Sequence, residues 1–190
     1  MRRALLFGAG AAVGLLVLAP AALVLPAPPL TASGVTGSMW SAAITNAAIG
    51  PLRLGDVAIA LQPAALAQGR MGWGVEGAIT GQIWRGFAAG GATGLNGRLL
   101  GSPIASVPIA GVSLADAGAT LDGAGRCVEA SGQVVADLAT PVAGQRQLAG
   151  AVRCDGDALL LPLASSDGRV RIDLATTRRQ WTARLVVAGA

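Results

Sequence analysis

The chain has 190 residues, of which 53% are hydrophobic and 13% charged, and its formal net charge at pH 7 is +4. It contains no histidine and no tyrosine, and all fourteen of its basic residues are arginine. Without histidine, the usual general base and the common nucleophile–histidine pairs of enzymes are missing. The arginines are dispersed among ten carboxylates, which argues against the clustered basic footprint of a nucleic-acid-binding protein. We therefore expect no enzyme activity, cofactor, metal site, small-molecule substrate or nucleic-acid partner.

The N-terminal segment has the pattern of a single membrane anchor. Arg2 and Arg3 precede an apolar run over residues 4–25, long enough for a helix of about 33 Å, which spans a bilayer core. Because arginine accumulates on the cytoplasmic side, residues 1–3 are predicted to lie in the cytoplasm. The most apolar positions of the predicted anchor are Leu5, Leu6, Phe7, Leu15, Leu16, Val17 and Leu18.

A proline-rich linker over residues 26–33 is predicted to separate this anchor from an exported domain over residues 34–190. The alternative for the same segment is a signal peptide, cleaved after about the first 21 residues at the small-residue site. Both interpretations export the same domain. Cys127 and Cys154 therefore lie in an oxidising compartment, where a disulfide is their expected use.

Alternating polarity predicts β-strands through most of the exported domain, for example around Val170, Ile172 and Leu174. The same pattern predicts one buried and one exposed face for the segment with Trp181 and Leu185. Only residues 63–69 have a helical pattern, with proline at the start and glycine at the end. Five dipeptides predict turns between strands, namely Gly50–Pro51, Asn96–Gly97, Asp122–Gly123, Asp155–Gly156 and Asp167–Gly168. The predicted fold is all-β and antiparallel, a glycine-rich and strongly curved sheet or a sandwich.

A short motif occurs twice, as Thr-Gly-Ser-Met-Trp ending at Trp40 and as Thr-Gly-Gln-Ile-Trp ending at Trp84. Two interpretations remain open: a duplicated β unit, or a turn that enters a strand whose tryptophan covers the core. In either case we expect Trp40 to be a buried structural anchor, because the domain has few aromatic residues.

The order of these elements resembles the type II secretion system protein N family. The resemblance is carried by residues 34–41, by the strand that ends in Leu61-Gln62-Pro63, and by the two cysteine segments. Its motif residues in this chain are Gly37, Trp40 and Pro63. Two departures are Ala42 and Ala43 after the tryptophan motif and Ala60 where the family has tryptophan.

The resemblance implies a non-enzymatic scaffold of the type II secretion machinery, anchored in the inner membrane with its domain in the periplasm. The implied partners are the platform proteins lettered C, L and M, with the outer-membrane secretin as a further candidate. The alternative is a membrane-anchored periplasmic carrier or chaperone for a lipid or another apolar ligand.

Overall fold

Alternating apolar and polar residues place most of this chain in β-strands. The computed structural model describes residues 30–38, 40–49, 52–101, 109–177 and 180–187. In these residues, fourteen strands form a single antiparallel sheet, which confirms the predicted all-β antiparallel fold. The predicted anchor, with Leu5, Leu6, Phe7, Leu15, Leu16, Val17 and Leu18, lies outside the described residues. Within the described ranges, none of the helices has the length and apolar character needed to cross a bilayer.

The first seven strands are β1 Leu30–Thr31, β2 Gly34–Ser38, β3 Ser41–Ile49, β4 Leu52–Leu61, β5 Met71–Gly77, β6 Ile79–Arg85 and β7 Ala89–Gly101. The remaining seven are β8 Ile109–Asp122, β9 Cys127–Val142, β10 Gln145–Ala151, β11 Arg153–Asp155, β12 Ala158–Ala164, β13 Val170–Thr177 and β14 Gln180–Val187. A single helical turn, α1 Pro63–Leu66, connects β4 to β5 and confirms the predicted helical segment. Pro63 occupies the first turn of α1, where its missing N–H leaves no hydrogen bond unmade.

Most strands that follow each other in the sequence are neighbours in the sheet, with β1 and β2 at one edge and β14 at the other. The exceptions are β1 and β2, which both pair with β3, and β10 and β11, which both pair with β12. Residues 30–31 of the predicted linker already belong to the sheet, because β1 pairs with the last residues of β3. The connections β2–β3, β4–β5, β6–β7 and β8–β9 lie at one end of the sheet, which we call the α1 end. The chain enters the sheet at the opposite end.

The sheet curls locally around β4. Residues 57–61 of β4 pair with β5, whereas Leu52 and Arg53 pair with Gly101 and Leu100 at the end of β7. Since β5, β6 and β7 are themselves successive neighbours, the four strands close a small ring at this point. The local closure agrees with the strong curvature that the glycine content predicts.

The core consists of two clusters of buried apolar residues. The first lies on the N-terminal strands and includes Ile44, Val57 and Ile59. The second lies on the C-terminal strands and includes the fully buried Leu148, Leu163, Val170 and Ile172. Leu52 and Leu114 pack against both clusters and so join the two halves of the sheet.

The disulfide between Cys127 and Cys154 joins β9 to β11, with a Cα–Cα distance of 5.6 Å. This distance lies within the range that bridge geometry requires, and it confirms the predicted pairing. Next to the bridge, the N–H of Cys127 donates to the carbonyl of Asp157 at 2.9 Å. The bridge therefore fixes the start of β9 to the β11–β12 hairpin.

Three of the predicted turns lie at strand connections: Asp122–Gly123, Asp155–Gly156 and Asp167–Gly168. Gly50–Pro51 lies outside the described residues. The prediction for Asn96–Gly97 is wrong, because both residues lie inside β7 at an irregularity in its pairing with β8. The Asn96 side chain serves this irregularity: it donates to the Gly94 carbonyl and accepts from the N–H of Asp116.

The expectation of a buried Trp40 is also wrong. Its ring is 38% exposed, because the residue lies in the tight turn between β2 and β3 at the α1 end. Its backbone still has a structural role, since the carbonyl accepts a hydrogen bond from the N–H of Leu61 at 2.8 Å. Trp84, in contrast, lies within β6, half-buried, with the Arg70 guanidinium 5.3 Å from its ring centre. The two copies of the motif thus have different settings, which argues against a duplicated β unit.

The exposed position of Trp40 predicts a small mutational effect. Trp40→Ala is expected to lower the free energy of unfolding by about 1–2 kcal/mol, less than the ~3–5 kcal/mol typical of a buried tryptophan. The matched control is Phe87→Ala, because Phe87 is fully exposed at the β6–β7 connection. Its expected change is within about 0.5 kcal/mol. Urea denaturation followed by circular dichroism measures both; a loss of about 4 kcal/mol in Trp40→Ala would restore the buried-anchor interpretation.

Candidate interaction surface

The described residues hold no cluster of three or more His, Cys, Asp or Glu side chains that could bind a metal ion. Two carboxylates are instead built into turns. Hydrogen bonds from the backbone N–H and the side chain of Arg126 lower the pKa of the Asp122 carboxyl. The Ser165 hydroxyl and the backbone N–H of Arg169 lower the pKa of Asp167. Both carboxylates therefore accept turn hydrogen bonds in their ionised form, which is a structural role.

These two depressed pKa values predict a loss of stability in acid. A carboxyl whose pKa is lower in the folded state stabilises the fold above its unfolded pKa, and that stabilisation disappears as the pH falls through the folded pKa. We therefore expect the melting temperature to decrease as the pH falls below about 3.8, the ordinary pKa of an aspartate. The decrease should be smaller in Asp167→Asn, whereas Glu129→Gln, at an exposed carboxylate within β9, serves as control. Thermal melts between pH 2 and 6 measure this; parallel curves for Asp167→Asn and the native chain would contradict it.

The described surface offers a candidate binding site for another protein at the β14 edge of the sheet. β14 pairs with β13 over its whole length, from Val170 opposite Val187 to Thr177 opposite Gln180. Its other side has no neighbouring strand in the described part of the sheet. A free edge presents a row of backbone N–H and C=O groups that an added strand can pair with.

The side chains of residues 182–187 of β14 are exposed on both faces, so the predicted buried face is not present over these residues. Leu185 lies opposite Ile172, and Val187 lies opposite Val170, so these side chains share the core face of β13. Ile172 and Val170 are at most 1% exposed, whereas Leu185 and Val187 are 50% and 48% exposed. The apolar row of the second core cluster therefore continues onto β14, where its side chains are exposed.

The opposite face of β14 carries Arg184 and Val186. Asp173 lies opposite Arg184 in the ladder, but its carboxylate binds the Nε of Arg171 at 2.9 Å. Within the ranges that the structure describes, Arg184 takes part in none of the ion pairs. The β14 edge thus combines a free backbone, an uncovered apolar face and an available positive charge.

The structure brings the three motif residues to the α1 end of the sheet. Gly37 pairs with Ala42 next to the turn that holds Trp40, and Pro63 begins α1 two residues after Leu61. Exposed apolar side chains at this end belong to Trp40, Leu66, Met71 and Phe87. Leu66 and Met71 flank the connection from α1 to β5, and Phe87 lies in the β6–β7 connection. Only Trp40 adjoins a free strand edge, that of the five-residue β2. These side chains therefore form a weaker candidate than the β14 edge.

Two open grooves on the described surface have walls in which apolar and polar side chains are mixed. One includes Val75 with Glu76, and the other includes Leu138 with Asp137 and Arg146. A carrier for an apolar ligand would need a continuous apolar lining, as small-molecule sites for such ligands have. Neither groove provides one.

Sequence reasoning identified the disulfide but missed Leu185, Val186 and Val187 as an exposed surface. The prediction for this segment rested on its alternating polarity, and an edge strand and a central strand can show the same alternation. The three successive apolar residues at the end of β14 were the available signal, since they supply apolar side chains to both faces.

Comparison with curated proteins and with solved structures finds no significant match. A family model does match: that of the type II secretion system (T2SS), protein N, over residues 28–187. The matched residues include every described strand and the disulfide. This chain therefore belongs to the type II secretion system protein N family.

Proposed function

We propose that this chain is a non-enzymatic scaffold of the type II secretion machinery at the inner membrane, which takes part in moving proteins from the periplasm across the outer membrane. The observation that carries the proposal is the family match over residues 28–187. Membership of this family gives the chain a role in type II secretion and partners within the secretion machinery. The disulfide and the family together indicate a location in the cell envelope.

The proposed arrangement has residues 4–25 as an uncleaved anchor and the sheet in the periplasm. Because β1 enters at the end of the sheet opposite α1, this end would face the inner membrane. The α1 end, with Trp40 and Phe87, would then point away from it. Intact-mass spectrometry of membrane-extracted protein tests the anchor: the full mass supports it, and loss of about 21 residues would identify a signal peptide.

The proposed partners are the platform proteins lettered C, L and M and the secretin, contacted through the β14 edge. Support comes from the free backbone and the uncovered Leu185 and Val187 of β14. Pairing of an extended segment with a free edge is a common mode of protein recognition.

Deletion of the gene in its own bacterium tests the function. We expect substrates of type II secretion to accumulate in the periplasm, and a plasmid copy to restore their release. In mild detergent, the tagged chain is expected to co-purify with platform proteins. Normal secretion in the deletion strain, together with no co-purified platform protein, would contradict the proposal. Stoichiometric binding of a fluorescent fatty acid by delipidated protein would instead support the apolar-ligand carrier.

A further inference from the structure

We infer that the β14 edge binds an extended segment of a partner protein in which apolar and acidic residues alternate. The inference rests on the proposed function, because it specifies the kind of partner that this edge accepts. It follows from the different chemistry of the two faces of β14.

The core-side face of β14 determines which residues of the partner segment are apolar. An added strand lies about 4.8 Å from β14, so its side chains on this face would adjoin Leu185 and Val187. Those two side chains continue the row of the buried Ile172 and Val170 and are half exposed. Apolar side chains on the added strand would cover them, so alternate positions of the partner segment are apolar.

The opposite face of β14 determines which residues of the partner segment are acidic. Its side chains on β14 include Arg184, and Asp173 across the ladder is already bound by Arg171. The sequence from residue 178 to residue 187 contains three arginines and no carboxylate. A carboxylate on the added strand would lie within reach of Arg184, and opposite charges across neighbouring strands stabilise pairing.

A second copy of this chain fits the edge less well. Pairing β14 with β14 would cover the apolar face but would bring a second Arg184 to the opposite face with no carboxylate. Like charges across a strand pair are destabilising. The charge of β14 therefore favours a different, acidic strand.

Fluorescence anisotropy with two labelled nine-residue peptides tests the inference, using the full chain in uncharged detergent micelles. One peptide alternates valine with glutamate, and the other alternates valine with lysine. We expect the glutamate peptide to bind at least tenfold more tightly than the lysine peptide. Equal binding of both peptides, or no binding of either, would overturn the inference.

Two variants identify the site. Arg184→Gln is expected to weaken binding of the glutamate peptide about fivefold, the scale of one exposed ion pair. The matched control Arg153→Gln, at an exposed arginine on β11, should leave binding unchanged. The double change Leu185→Ser with Val187→Ser should abolish binding with little loss of stability, because both side chains are half exposed. Unchanged binding in Arg184→Gln and in the double variant would overturn the assignment to β14.

Sedimentation velocity on the same samples tests the competing occupant. If the native chain forms a dimer and the double serine variant is a monomer, then the β14 edge binds a second copy of the chain. That result would overturn the inference of an acidic partner. A secretion defect in the deletion strain does not depend on these peptides. If the peptides do not bind but the deletion strain has a secretion defect, the inferred acidic partner is wrong and the proposed function is still supported.

Discussion

Replacing Gly132 with alanine is expected to destabilise the sheet by several kcal/mol, more than most single substitutions in this chain. Gly132 has φ near +101°, and a Cβ there would lie 2.3 Å from the Cα of Ala117 and 2.4 Å from the carbonyl oxygen of Asp116. The strained backbone contributes about 1–3 kcal/mol. Forcing β8 away from β9 contributes about the same again. The expected total is therefore about 2–6 kcal/mol.

Gly144→Ala is the matched control, because it separates backbone conformation from crowding. Gly144 has φ near +81°, but nothing lies within 4 Å of the position its Cβ would take. Only the conformational cost remains, about 1–2 kcal/mol. Chemical denaturation followed by circular dichroism compares the two variants. Equal losses of stability would mean that the close approach of β8 to β9 at Gly132 relaxes without cost.

Removing the disulfide is the second large effect that we expect. Cys127 and Cys154 are 27 residues apart in the sequence, so the bridge closes a loop in the unfolded chain. On the chain-entropy estimate, a loop of this size corresponds to about 3–4 kcal/mol of stability. The double variant Cys127→Ala, Cys154→Ala should lose this amount.

Reduction of the native chain provides the internal control for this prediction. Dithiothreitol should lower the midpoint of urea denaturation of the native chain towards that of the double variant. It should leave the double variant unchanged. A double variant as stable as the oxidised native chain would contradict a stabilising role for the bridge.

Much of the fold could be predicted because its signals are local. Alternation identifies strands, and Asp-Gly dipeptides identify turns such as that at Asp155. Asn96–Gly97 shows the limit of this reasoning. The same dipeptide that forms a hairpin turn also suits an irregular position inside a long strand, since both need unusual backbone angles. Which of the two occurs depends on β8, where Asp116 meets the Asn96 side chain.

The candidate surface could be predicted only in part, because its features depend on sheet order. The alternation around Leu185 and Val187 matches that of Ile172 and Val170 on the neighbouring strand, yet only the second pair is buried. The difference arises because β14 has one neighbour and β13 has two. Trp40 illustrates the same point: its size suggests burial, but its place in a turn leaves the ring 38% exposed.

Site-specific photo-crosslinking in cells tests most directly whether the β14 edge contacts the secretion machinery. A benzoylphenylalanine would replace Val186 on β14 in one strain and Val128, an exposed valine on β9, in a control strain. We predict that the residue at 186 crosslinks to another component of the assembled machinery, and that the residue at 128 does not. Crosslinks from position 128 but none from position 186 would contradict the account.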